Sequence, residues 1–270
     1  MWLLTENAGG GSEQGRAHDP RLTDSAGQPW AGRSFDANTF SGDTGEAPER
    51  LIEALRRFRA ADVGQPEVIE ALRDARLLVP LVAHAGEMGE DAHGRLHDKT
   101  QELSLVTVSA PDGRLVLPAF TSTEAMARWN PLARPIPTPA RRAALAAASE
   151  DTPLMVLDPT SDTEFAVRRP MLRAIAEGSA WLHPAEDPDV ATRFVASVTD
   201  ERAVRSLGLA DGDPNAKLAG PQLRVELALE PGLDQQSLGE LLSRLQARWQ
   251  QDELLAERVD SLGVRLVTAG

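Results

Sequence analysis

The chain has 270 residues, of which 41 are Asp or Glu and 28 are Lys or Arg, for a formal net charge of −13. That balance lacks the basic footprint that non-specific nucleic-acid binding needs, and no apolar stretch approaches the ~18–20 residues of a membrane span. With no cysteine in the chain, disulfides, thiolate zinc sites, iron–sulfur clusters and cysteine nucleophiles are excluded. The N-terminus shows no basic region followed by a long apolar run, so a cytoplasmic protein without a secretory signal is expected. The acidity is spread along the chain, which serves solubility through self-repulsion.

Residues 1–48 hold 8 of the 21 glycines and few aliphatic side chains. Such a segment buries too little to offset its ordering entropy, and we expect a flexible arm. Trp30, Phe35 and Phe40, spaced five apart in polar surroundings, are its candidate contacts for the domain or for a protein partner.

Pro48 and Pro66 each open a predicted helix, with Leu51, Ile52, Leu55 and Phe58 on the first and Val68, Ile69 and Leu72 on the second. The run 77–82 reads as a buried strand, and Pro80 within it predicts an edge or a bulge. Residues 84–101 read as a polar loop, 103–108 as a second strand, 110–113 as a hairpin turn and 114–117 as the return strand. Thr121 and Glu124 have capping-box spacing for a helix through Met126 and Trp129. Pro131, Pro135, Pro137 and Pro139 predict a stiff extended connector. An alanine-rich helix over 140–148, strands at 154–157 and 165–167, and a helix from Pro170 to Gly178 follow.

Asp187-Pro188-Asp189 marks an expected boundary. A helix over 190–198, strands at 203–209, 225–229 and 262–266, and a long helix bearing Leu241, Leu245 and Trp249 predict an α-β-β-α-β sandwich, helices on an antiparallel sheet. The fold class is therefore α+β. A mixed sheet with flanking helices spans 49–186, and the small sandwich spans 187–270. Its half-exposed sheet would be covered in a homodimer, which shields an edge strand.

Leu77-Leu78-Val79-Pro80, Leu117-Pro118-Ala119-Phe120-Thr121-Ser122, Ala127-Arg128-Trp129, Arg134-Pro135 and Val156-Leu157-Asp158-Pro159, with the helix closing near Trp181, together resemble the N-terminal domain of the bacterial SseB-like family. Residues 188–270 look like that family's shorter C-terminal domain. The resemblance implies a cytosolic α+β protein associated with serine sensitivity. It implies no reaction, no cofactor and no catalytic residue.

The residues themselves offer several sites. A strand end feeding a helix start at Phe120-Thr121-Ser122, with Arg128 further along the helix, would present free amides and a positive charge to a carboxylate or phosphate. His84, His93 and His97, with nearby Glu87, Glu90, Asp91 and Asp98, are candidate ligands for zinc or a similar metal. Gly94 weakens any helix that would align them, and a solvated connector competes with that reading. Asp158, Asp162 and Glu164 cluster at a turn where burial would split their acidities. Asp211, Asp213 and Asn215 begin like a calcium loop, but Ala216 and Gln222 stand where glycine and a bidentate carboxylate are needed, so an acidic turn is expected instead. No phosphate loop, dinucleotide fingerprint, nucleophile elbow or zinc-protease helix is present. The leading expectation is a non-catalytic interaction or regulatory protein. Next come a binder of an amino acid or another small anion at Thr121–Ser122, and a metal-dependent hydrolase using the 84–98 loop.

Overall fold

The computed structural model describes residues 42–83, 88–90, 96–98, 103–105, 107–110, 113–149 and 154–267. Trp30, Phe35, Phe40, His84 and His93 lie outside them. The described residues form mixed sheets with flanking helices, and Asp43–Gly270 forms one compact unit.

The chain enters through α1 (Glu49–Arg59) and α2 (Gln65–Arg73), which bury Leu51, Leu55, Phe58, Val68, Ile69 and Leu72 as their helical spacing requires. β1 (Arg76–Ala83) follows. Next come β2 (Met88–Glu90) and β3 (Leu96–Asp98), an antiparallel pair that places His97 opposite Gly89. The expected 84–101 loop thus contains a short ribbon, whose three-residue strands are too brief to show periodicity. The expected 103–108 strand is divided into β4 (Leu103–Leu105) and β5 (Val108–Ser109), which join different sheets. β6 (Leu115–Ala119), α3 (Thr123–Trp129) and β7 (Arg134–Pro139) lead to α4 (Ala140–Ser149). β8 (Met155–Leu157), β9 (Phe165–Val167) and α5 (Arg169–Glu177) complete the N-terminal half. α5 ends at Gly178, whose φ of 72° is the left-handed cap that glycine takes without strain.

Two sheets have the orders β4-β1-β7 and β5-β6-β8-β9, bridged by Leu78 and Phe120. Pro80 is therefore not on an edge: β1 lies between β4 and β7. Register explains why it is tolerated. Pro80 faces Pro135, while Leu78 and Arg76 face Pro137 and Pro139. Since proline donates no hydrogen bond, these alternate pairs are the non-hydrogen-bonded ones. On its other side β1 bonds Phe120 at Leu78 and β4 from Leu81 onward, so Pro80 sits where one neighbour gives way to the next. The proline-rich connector is correspondingly an edge strand, its imino nitrogens turned to the open side.

One face of the sheets carries Leu77, Leu117, Met155, Phe165 and Val167 into a core shared with α1, α2, α4 and α5. The outer face carries Val116, Val156 and Ala166.

The C-terminal half runs α6 (Pro188–Val198), β10 (Val204–Asp211), β11 (Leu223–Leu229), α7 (Gln235–Gln251), α8 (Glu253–Arg258) and β12 (Leu262–Val267). β10 pairs β11 antiparallel, but β11 pairs β12 in parallel, which corrects the expected antiparallel sheet. A parallel neighbour needs a crossover, and α7 with α8 supplies it. Leu223, Val225, Leu227, Leu241, Leu245 and Trp249 form the core between helices and sheet.

Candidate functional site

Two buried aspartates each hold one loop beside the outer face of the β5-β6-β8-β9 sheet. Asp158, 1% exposed, follows β8. Its carboxylate accepts from the Thr121 amide at 2.8 Å, the Thr121 hydroxyl at 2.7 Å and the Thr163 hydroxyl at 2.8 Å. Asp213, 3% exposed, follows β10. Its carboxylate accepts from the Lys217 amide at 3.2 Å and the Leu218 amide at 2.8 Å, and pairs with the buried Arg168 guanidinium at 2.6 Å. Of the five non-glycine residues with positive φ among the described residues, four lie in these loops: Asp158, Thr160, Ala216 and Leu218. Each such residue costs about 1–2 kcal/mol, and persists because its surroundings over-determine it.

Between the loops is a slot of about 420 Å³. Its floor is Val116, Val156 and Ala166 from three adjacent strands, and Trp129 stands at one wall. Thr160 and Glu164 from the first loop and Lys217 from the second form the rim. The Glu164 carboxylate accepts the Thr160 amide at 2.7 Å.

The structure brings Thr121 to Asp158, two residues that the sequence placed in separate candidate sites. It does so in a closed arrangement. Thr121 is 1% exposed, and its hydroxyl and amide both point into Asp158. Ser122, not Thr121, caps α3, accepting from the Ala125 amide at 3.1 Å. Gly45 accepts the Thr123 amide at 2.9 Å. The Thr121, Thr123 and Ala125 amides at this helix start are thus engaged by the chain itself. Phe120 is fully buried against Trp129, ring centres 5.2 Å apart. Arg128 is exposed and pairs loosely with Glu124 at 3.9 Å. Asp162 is exposed, outside this network. Among the described residues, no group of three His, Cys, Asp or Glu could hold a metal, and no helix is long and apolar enough to cross a membrane.

Residues 51–174 match the family model for the SseB protein N-terminal domain. The chain carries an SseB N-terminal domain. No curated protein and no solved structure matches the chain. The match takes in the Thr121–Asp158 node and the slot floor, and ends before Asp213 and Lys217. The slot therefore combines the SseB N-terminal domain with residues beyond it.

A second cleft, about 870 Å³, lies where the SseB N-terminal domain meets the C-terminal half, beside Gln65, His183 and Asp211. His183, 5% exposed, accepts the Ala185 amide at Nδ1, which leaves the ring proton on Nε2. Nε2 stands 3.5 Å from Asp211 Oδ1, near enough for attraction but too poorly placed for a well-formed hydrogen bond. Burial pushes the Asp211 carboxyl up. The His183 ring, the Asp213 amide and the Gln65 amide pull it down further, so the net shift is below its ordinary value. A depressed carboxyl contributes stability above its unfolded pKa and loses it as pH falls through the folded one. Asp211→Asn is thus expected to be less stable than the parent at pH 7. The gap should narrow as pH falls below about 4, as followed by denaturant midpoints across that range.

Sequence reading missed Arg168, Gln65, His183 and Lys217. Lys217 had one signal: it is one of only two lysines in the chain. The sequence reads Asp211 and Asp213 as an acidic turn rather than a calcium loop, and gives no sign of the His183, Gln65 and Arg168 side chains that meet them.

Proposed function

We propose that the chain is a non-catalytic interaction or regulatory protein of the cytoplasm, with Trp30, Phe35 and Phe40 as contacts for a protein partner. The observation that supports this reading is the use of Asp158 and Asp213. Each accepts hydrogen bonds from its own chain and holds the shape of a surface slot, where a general base would present a free oxygen to a substrate. A regulatory role fits the serine-sensitivity association that the family resemblance carries, and residues 187–270 are read as the family's C-terminal domain. Homodimerisation through the C-terminal sheet belongs to the same reading.

The test is capture of a partner from lysate by three baits: the full chain, residues 42–270, and the full chain with Trp30, Phe35 and Phe40 all changed to alanine. The truncation must keep Asp43. Its carboxylate pairs with Arg76 at 2.6 Å, and Arg76 also donates to the Glu46 and Thr121 carbonyls. A partner held by the full chain and lost from both variants, at unchanged unfolding midpoints, is the expected result. Equal capture by all three would remove the arm from the reading.

A further inference from the structure

We propose that the slot between the Asp158 and Asp213 loops binds a small molecule with an apolar body and a single carboxylate, the body against Val116, Val156 and Trp129 and the carboxylate on Lys217. Its volume of about 420 Å³ falls in the range of small-molecule sites, roughly 300–1,000 Å³. A protein partner would need far more surface, about 800 Å² on each side. The floor is aliphatic, so it rewards apolar area and offers nothing to a polar body. One aromatic wall suits either a flat ring or an acyl chain.

The rim selects the head group. Lys217 is exposed, and no ion pair among the described residues includes it. Both of its neighbours, Ala216 and Leu218, have positive φ, 48° and 55°, and its amide is held by Asp213. Its backbone is thereby fixed at the mouth of the slot before any ligand arrives, which lowers the ordering cost of binding. Glu164 on the same rim repels a second negative charge, so a monocarboxylate is favoured over a dicarboxylate. The head group and apolar body are common to a short acyl chain and to an aryl acid.

This inference goes beyond the interaction reading, and the two fail separately: partner capture through the arm does not require the slot to be filled. The experiment titrates hexanoate, 3-phenylpropionate and the uncharged 3-phenylpropionamide into the full chain. The methyl resonances of Val116, Val156 and Leu218 are observed. Both acids are expected to move these methyls. The amide should bind about fivefold more weakly than its parent acid, the weight of a rim ion pair of about 1 kcal/mol. Lys217→Met should abolish that preference and Lys217→Arg should retain it. Tighter binding of hexanoate assigns an acyl chain, and tighter binding of 3-phenylpropionate assigns an aryl acid. Unmoved slot methyls with all three probes, shifts confined to other regions, or an undiminished acid preference in Lys217→Met would each overturn the proposal.

Discussion

Replacing Arg168 with methionine is expected to lower the unfolding free energy by about 3–5 kcal/mol, the usual cost of breaking a buried ion pair from one side. Arg168 is 2% exposed at its side chain, and its two carboxylate partners are 3% and 4% exposed. It donates to Asp213 at 2.6 Å, to Asp260 at 3.0 Å and to the Gly220 carbonyl at 2.8 Å. Asp260 also has Arg114 at 3.0 Å, so the larger loss falls on Asp213. Changing Asp213 to asparagine in the same chain removes the stranded charge and keeps an acceptor for the Leu218 amide. The double variant should then be more stable than the sum of the single losses implies, by about 1–3 kcal/mol. Urea unfolding of the four chains closes the cycle. A loss below about 1 kcal/mol in the single Arg168 variant would show that the triad is better hydrated than its burial indicates.

Asp158→Ala should cost about 3–5 kcal/mol. It strands the Thr121 amide, for which no rotation offers another acceptor, and removes the partner of two hydroxyls. Each unsatisfied buried donor costs about 1–3 kcal/mol. Alanine also tolerates the positive φ at this position, 42°, less well than aspartate. Asp158→Asn keeps one acceptor oxygen and the backbone tolerance, and should cost about 1–2 kcal/mol. Denaturant midpoints with unchanged slopes would confirm both values as stability effects. Similar losses in the two variants would mean that the charge, rather than the acceptors, holds the loop.

The elements with sustained periodicity were legible in the sequence. The α1 and α7 faces and the β11 alternation were readable because burial on one side leaves a pattern. Pro80 was misread because the proline rule concerns one missing donor. Whether that donor is needed depends on which neighbour lies opposite, and only the register with Pro135 and Phe120 decides it. The parallel β11–β12 pair was equally silent, since strand direction is a property of the connection and not of the alternation. The candidate site was half legible. Phe120-Thr121-Ser122 and Asp158 were singled out, but their joining depends on contacts across 37 residues. Arg168 left no sign because a buried arginine is identified by its partners, here 45 and 92 residues downstream.

The matched segment ends at residue 174, yet among the described residues the carboxylates that neutralise Arg168 inside it, Asp213 and Asp260, are ones that the chain reaches later. The domain is in this respect an unfinished electrostatic object. A chimera that grafts a different C-terminal half onto residues 43–186 inherits the guanidinium and must bring its own pair of acids to the same two places. Modularity at this junction is thus conditional: the halves can be exchanged between proteins only as charge-matched sets.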